Sequence, residues 1–264
     1  MNALLHELRL AQVALQFLTR VPVPRRLGFQ PAWLQASARH FPLVGALVGA
    51  VGAAVLWTAS AWWPLPLAVG LSMAATVWLT GGFHEDGLAD TCDGLGGSAD
   101  RERALQIMKD SRVGSYAVLG LLLVLGLKAT ALVGLAQHGL AQALAAGVMA
   151  HAASRSAAVV LLHRLPYAGD PAHAKAKPLA ERVTPGCAAA ALAWSVALAA
   201  ALAAVLGAAV LRPLLVAAVG CALTTVVCAR WFRRRLGGTT GDTLGAAQQF
   251  AELAVLLGWL AAAP

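Results

Sequence analysis

Unbroken apolar runs, rather than the alternation of a strand, set the character of this chain. Between His40 and His84 there is no Lys, Arg, Asp or Glu, which leaves room for two crossings of a bilayer at about 20 residues each. Pro64 and Pro66 interrupt the run behind Trp62 and Trp63, and tryptophan suits a membrane interface because its ring is apolar while the indole N–H stays wet. Similar runs further on predict seven spans in all, at about residues 41–63, 65–83, 116–136, 140–162, 186–207, 212–230 and 243–262. Helices and closed barrels alone satisfy their own backbone hydrogen bonds in hydrocarbon, and runs of this length without ten-residue alternation select helices. The segment from Asn2 to Leu18 is apolar but interrupted by His6, Glu7 and Arg9, so it predicts an interfacial or partly buried helix instead of a signal peptide, with insertion across the bilayer left open. The expected fold is all-α, a polytopic integral membrane bundle of about seven transmembrane helices plus this interfacial helix. Residues 1–264 are read as a single integral membrane catalytic domain.

Composition supports that reading. Of 264 residues, 59% are hydrophobic and only 12% charged, about half the charge of an average soluble domain. An ordinary globular enzyme in water is excluded, because its surface needs far more charge. The net charge of +8 then needs a reason. If the amino-terminal side is the cytoplasm, 17 of the 20 Lys and Arg fall on that side, in the groups Arg9 to Arg39, Arg101 to Arg112, Arg164 to Arg182 and Arg230 to Arg235. Only Arg212 falls on the far side. This is the positive-inside pattern, so topology and anionic headgroups account for the basic excess without nucleic acid as a partner. The four cysteines form no C-x-x-C pair and read as small buried residues.

The acids carry more information. Seven of the 12, from Glu85 to Asp110, lie within one stretch at the end of the second predicted span. Its core reads Thr80-Gly-Gly-Phe-His-Glu-Asp-Gly-Leu-Ala-Asp-Thr-Cys-Asp-Gly94. If helical, it places Asp86, Asp90 and Asp93 at i, i+4 and i+7, within about 60° of the circumference. Three carboxylates so close repel one another, and at a membrane edge partial desolvation raises the cost. A divalent cation with a preference for oxygen ligands offsets it, and Mg²⁺ uses a few carboxylates with water and substrate phosphates. A solvated acidic helix start is the simpler alternative. Gly87 and Gly94 weaken the helix but allow close approach, which favours a metal.

Basic residues follow on the same loop, in Lys109-Asp-Ser-Arg-Val-Gly114, where Lys109 and Arg112 are placed to bind phosphate oxygens. Asp242, in Gly237-Gly-Thr-Thr-Gly-Asp242, opens the last span on the same side, and Glu252 lies within that span, where an unpaired charge is expensive. Lys128 and Arg155 also fall inside spans. Pairing with Glu252, lining a substrate cavity and snorkelling to the interface all stay open for them. Gly45 and Gly49 form a G-x-x-x-G read as helix packing. His40, His138, His151, His163 and His173 are read as isolated structural or surface residues.

The stretch Gly81 to Gly94, then Met108-Lys-Asp-Ser-Arg-Val-Gly114, then Thr240-Gly-Asp-Thr-Leu-Gly-Ala246, resembles the cobalamin synthase family, the adenosylcobinamide-GDP ribazoletransferases. Phe17-Leu-Thr-Arg-Val-Pro-Val-Pro24 and His40-Phe-Pro-Leu-Val-Gly45 extend the likeness along nearly the whole chain. Lys109 stands where the family more often has Arg, which keeps the charge and loses the bidentate fork. The resemblance implies a multi-pass enzyme of the bacterial cytoplasmic (inner) membrane, active site toward the cytoplasm, acting in a final step of vitamin B12 assembly. It implies joining of adenosylcobinamide-GDP to α-ribazole or its 5′-phosphate with release of GMP, and Mg²⁺ as cofactor. Asp86, Asp90, Asp93 and Asp242 are then the candidate metal ligands, and Asp86, Asp90, Asp93 and His84 the candidate catalytic residues. Lys109, Arg112, Asp242, Lys128 and Arg155 are the candidates for substrate binding. Expected partners are the corrinoid nucleotide, the ribazole and the lipid bilayer, and a homo-oligomer is compatible with all of this.

Two other classes are weighed. A CDP-alcohol phosphotransferase-like lipid enzyme shares intramembrane Asp and Mg²⁺ but uses an ordered D-G-x-x-A-R signature, and here Gly87-Leu-Ala is followed by Asp90. A cation transporter would hold its acids near the midplane between broken helices, whereas these lie at a span end beside a charged loop.

Overall fold

The computed structural model describes residues 3–23, 30–169 and 183–263. Arg25, Arg26, His173, Lys175, Lys177 and Arg182 lie outside the described residues. The described chain is helical throughout: α1 (Ala3–Leu18), α2 (Pro31–Ser37), α3 (Phe41–Ser60), α4 (Leu65–Thr80), α5 (Phe83–Gly97), α6 (Arg101–Met108), α7 (Ser115–His138), α8 (Leu140–Arg164), α9 (Pro185–Leu206), α10 (Leu211–Leu236) and α11 (Gly241–Ala262). Among the described residues six helical runs are long and apolar enough to cross a bilayer, at Ala32–Ser60, Ser115–His138, Leu140–Arg164, Pro185–Leu206, Ala208–Leu236 and Gly241–Ala262. A seventh arises if α4 and α5 count as one. The chain is a polytopic membrane helical bundle.

The second predicted span differs from expectation in an instructive way. The apolar run predicts a straight helix over 65–83, but α4 stops at Thr80 and the chain turns by 90° into α5. Gly81 and Gly82 cause this, with φ of 74° and 70°, a region that side chains disfavour and glycine does not. Gly81 N–H donates to Trp78 O at 3.2 Å and Gly82 N–H to Val77 O at 2.9 Å, which closes the end of α4. A Cβ on Gly81 would also stand 2.7 Å from Arg20 Nε. Hydropathy does not see this turn, because glycine neither adds nor removes much apolar character.

Small residues set the helix spacing. A Cβ on Gly49 of α3 would lie 2.7 Å from Val148 Cα of α8, and one on Gly45 would lie 2.8 Å from Arg155 Cδ. The G-x-x-x-G thus lets α3 and α8 approach closely, as small-residue interfaces do in lipid. The largest buried cluster gathers Leu56, Leu135, Ala146, Leu256 and Trp259 from four helices, and Trp259 Nε1 donates to Gln142 Oε1 at 2.9 Å. Outward faces are apolar as well, with Leu122 67%, Val196 68% and Leu223 62% exposed, an arrangement suited to hydrocarbon as the surrounding solvent. On α1, Leu10, Val13, Ala14 and Leu18 are buried, while the outward side exposes Leu4, Leu5 and Leu8 and then Gln12 and Gln16.

Candidate functional site

The acidic stretch is a helix, and Gly87 and Gly94 within it stand where other helices press close. A Cβ on Gly87 would lie 2.7 Å from Asp242 O and 3.1 Å from Asp242 Cα, and one on Gly94 would lie 2.9 Å from Ala104 O. Close packing against α11 and α6 therefore offsets the poor helix propensity of glycine. His84, Leu88, Thr91 and Leu95 are buried on the inward side of α5. Asp86 is exposed, and Asp90 and Asp93 are half-buried. Their spacing puts all three on one side of α5, turned away from Leu88 and Thr91.

Neighbouring elements complete this edge. Asp93 accepts from Gly114 N–H at 2.6 Å and from Ala117 N–H at 2.8 Å, so it satisfies the orphan amides at the start of α7 from a different helix. That contact draws the loop from Lys109 to Gly114 against α5. In the loop Arg112 donates to both oxygens of Asp110, with Nη2 2.5 Å from Oδ2, and its side chain is 88% exposed. Arg112 holds the Asp110 carboxyl at about 2, below the ordinary 3.8. Lys109, just after α6, is exposed. Asp242 sits in the first turn of α11 behind a capping box between Thr240 and Thr243, and a bridge from Tyr167 to Thr239 fixes the approach to it.

A second polar group lies inside the bundle. Lys128 of α7 pairs with Glu252 of α11 and donates to Gln249 Oε1 at 2.9 Å. Glu252 is also met by His151 Nδ1 at 3.1 Å and by Gln248 Nε2 at 2.5 Å. Gln248 Nε2 reaches Ser154 Oγ at 2.9 Å, and Gln249 Nε2 donates to Glu85 Oε1 at 2.9 Å. Arg155 is buried and donates to His151 O at 2.8 Å. A cavity of about 40 Å³ beside this group is lined by Glu85, Lys128, His151 and Glu252 together with α3 and α4; it has room for a few waters.

The structure thus gathers Asp86, Asp90, Asp93, Asp242 and the Lys109–Arg112 loop at one edge of the bundle. Lys128 and Arg155 face the interior instead, and Gln249 and Glu85 form the link between the two groups. His84 is buried, its backbone against Gly245. Two histidines read as isolated have acidic partners, His151 as described and His40 with Glu7 at 2.9 Å.

Comparison with known proteins gives one consistent answer. The profile of cobalamin-5-phosphate synthase matches residues 11–260. The chain is 64% identical over 261 residues to the adenosylcobinamide-GDP ribazoletransferase of Leptothrix cholodnii, covering 99% of this chain and 98% of the relative. The proteins of the same name from Albidiferax ferrireducens and Shewanella amazonensis are 45% and 44% identical, covering 93% and 97% of this chain and 95% and 96% of theirs. The chain belongs to the cobalamin-5-phosphate synthase family. No solved structure matches it. Membership makes the chain a membrane enzyme of cobalamin assembly, a transferase.

Within this family member the motif segments converge. Phe17 stacks on Phe41 with ring centroids 5.7 Å apart and meets Phe83 edge-on at 5.4 Å, while Arg20 N–H donates to Leu79 O at 2.8 Å. The Phe17–Arg20 stretch is thereby folded onto the turn between α4 and α5. Among the described residues no three of His, Cys, Asp and Glu converge enough to hold a metal by themselves. Mg²⁺ commonly takes one or two carboxylates and completes its shell with water and substrate phosphates, so one or two of Asp86, Asp90 and Asp242 have the oxygen chemistry that ion needs without three of them converging. His151 and Gln248 went unnoticed in the sequence as partners of Glu252. The signal was there for Gln248, which stands i−4 from Glu252 on one helix face.

Proposed function

We propose that the chain joins adenosylcobinamide-GDP to α-ribazole or its 5′-phosphate and releases GMP, with the α5 edge at the cytoplasmic face of a bacterial inner membrane. One observation carries the site assignment: the aspartate face of α5 is turned outward at the end of the α4 span, beside the first turn of α11. The names of the relatives supply the substrates. Asp86 and Asp90, with Asp242 across the Gly87 contact, would hold Mg²⁺, and Asp93 would keep the face in place while lending a remaining lone pair. Bound there, the ion neutralises charge on the diphosphate oxygens.

The chain's own residues supply the rest. Lys109 and Arg112 bind phosphate oxygens from the loop that Asp93 anchors. A ribazole hydroxyl attacks the corrinoid-side phosphorus, the bond from that phosphorus to the bridging oxygen breaks, and GMP departs with that oxygen. The hydroxyl proton passes to a carboxylate of the α5 face. His84, on the buried side of α5, holds the contact with α11 and does not face the reacting groups. Lys128 acts at one remove, through Gln249 and Glu85, and Arg155 through His151. Asp90→Asn should abolish Mg²⁺-dependent GMP release while the protein still elutes as a folded species and keeps its helical circular dichroism. Turnover near the parent rate would overturn the metal assignment.

A further inference from the structure

A groove of about 400 Å³ opens on the lipid-facing side between α9 and α10, with α8 as its floor. The two helices meet through the short turn at Ala208–Val210 and make no extended contact with each other. Ala153 and Ala157 of α8, Leu192 and Val196 of α9, and Ala218 and Ala222 of α10 line it. Its few hydroxyls are already engaged: Ser156 Oγ donates to Ala191 O at 3.0 Å and lies 2.8 Å from Ser195 Oγ, and Thr225 Oγ1 donates to Cys221 O at 2.7 Å. Whatever occupies the groove gains nothing from polar groups along its body.

The mouth differs. Arg164 lies one helical turn beyond the lining residue Val160, on the same face of α8. Arg230 and Arg233 lie one and two turns beyond the lining residue Val226 of α10. All three are exposed, and none has an acidic partner among the described residues. On α10 the lining runs from Leu214 to Val226, about 18 Å of helix, which matches the roughly 15 Å depth of one leaflet's hydrocarbon.

We propose that the groove between α9 and α10 holds one acyl chain of an anionic phospholipid whose phosphate is bound by Arg164, Arg230 and Arg233. The arginines select the headgroup charge, and the alanine-lined walls select a slender apolar chain. This goes beyond the positive-inside pattern, because it assigns a single stoichiometric site to three particular arginines.

Native mass spectrometry of the full chain in mild detergent tests it, with phosphatidylglycerol and phosphatidylcholine of identical chains added in turn. The expected result is one phosphatidylglycerol retained per chain and much less phosphatidylcholine. Arg164→Gln, Arg230→Gln and Arg233→Gln should each lower phosphatidylglycerol retention about fivefold, whereas Arg212→Gln, at the opposite end of α10, should not. A groove-filling Ala218→Leu/Ala222→Leu variant should lose retention with its circular dichroism and GMP release intact. Equal retention of both lipids by the parent chain would overturn the proposal. So would undiminished retention by the arginine and groove-filling variants, or a dimer mass in place of the lipid adduct.

Discussion

The three aspartates of α5 are equivalent in spacing but not in surroundings, and replacing each by alanine should separate them. Asp93 receives two amides of the first turn of α7, at 2.6 and 2.8 Å. Loss of a capping carboxylate costs about 0.5–2 kcal/mol, and its charge at a helix start adds about 0.3–1 kcal/mol. The Gly114 end is exposed and the Ala117 end half-buried, which places the sum for Asp93→Ala at about 2 kcal/mol, some thirtyfold in the folding equilibrium. Asp86 is exposed, so Asp86→Ala should stay within about 0.5 kcal/mol while losing activity. Asn at 93 can offer only one oxygen to two amides that now use two, and should fall between. SDS-induced unfolding in mixed micelles measures the stabilities, and amide exchange at Gly114–Ala117 reports the cap locally. Unchanged exchange and stability in Asp93→Ala would refute the capping argument. An equal loss in Asp86→Ala would refute the division of labour.

Other outcomes follow from the same geometry. Lys128→Met leaves Glu252 buried without its cation and should cost about 3 kcal/mol, most of it regained in the Lys128→Met/Glu252→Gln double variant; a double-mutant cycle by SDS unfolding measures the coupling. Gly87→Ala drives a methyl into the Asp242 backbone, 2.7 Å away, and should cost about 1–3 kcal/mol along with a fall in GMP release. Asp110 is ionised well below neutrality because Arg112 binds it. A depressed carboxyl gives stability that is present above about pH 4 and lost as pH falls through about 2, so Arg112 stays engaged at any working pH. Asp110→Asn should therefore free the guanidinium and lower KM for the GDP-activated substrate severalfold, with kcat little changed.

How much of this the sequence disclosed depends on which force decided each feature. Burial in lipid is additive along the chain, so six of the seven spans came out within a few residues, except that α10 runs on to Leu236. Helical spacing is equally local, and it placed Asp86, Asp90 and Asp93 on one side of α5. The turn at Gly81 and Gly82 was not legible, because a left-handed pair has no hydropathy signature. Neither was the partnership of Asp93 with Gly114, since a residue i and an amide 21 positions away meet only after two helices pack. The interior group was half legible. Glu252, Lys128 and Arg155 were expensive enough to demand partners, but the neutral Gln248 and Gln249, which connect them to Ser154 and Glu85, raised no such demand.

The brevity of α4 has a consequence for the membrane itself. At 16 residues it reaches about 24 Å, some 6 Å less than the hydrocarbon thickness of an average bilayer, and any tilt shortens that reach. The glycine turn then sends α5 sideways before the headgroups are reached. A span this short is accommodated by local thinning of the bilayer or by snorkelling of flanking residues, at a cost of fractions of a kcal/mol for each ångström of mismatch. GMP release is therefore expected to fall as the acyl chains of reconstituted vesicles lengthen, and a rate independent of chain length would refute this reading.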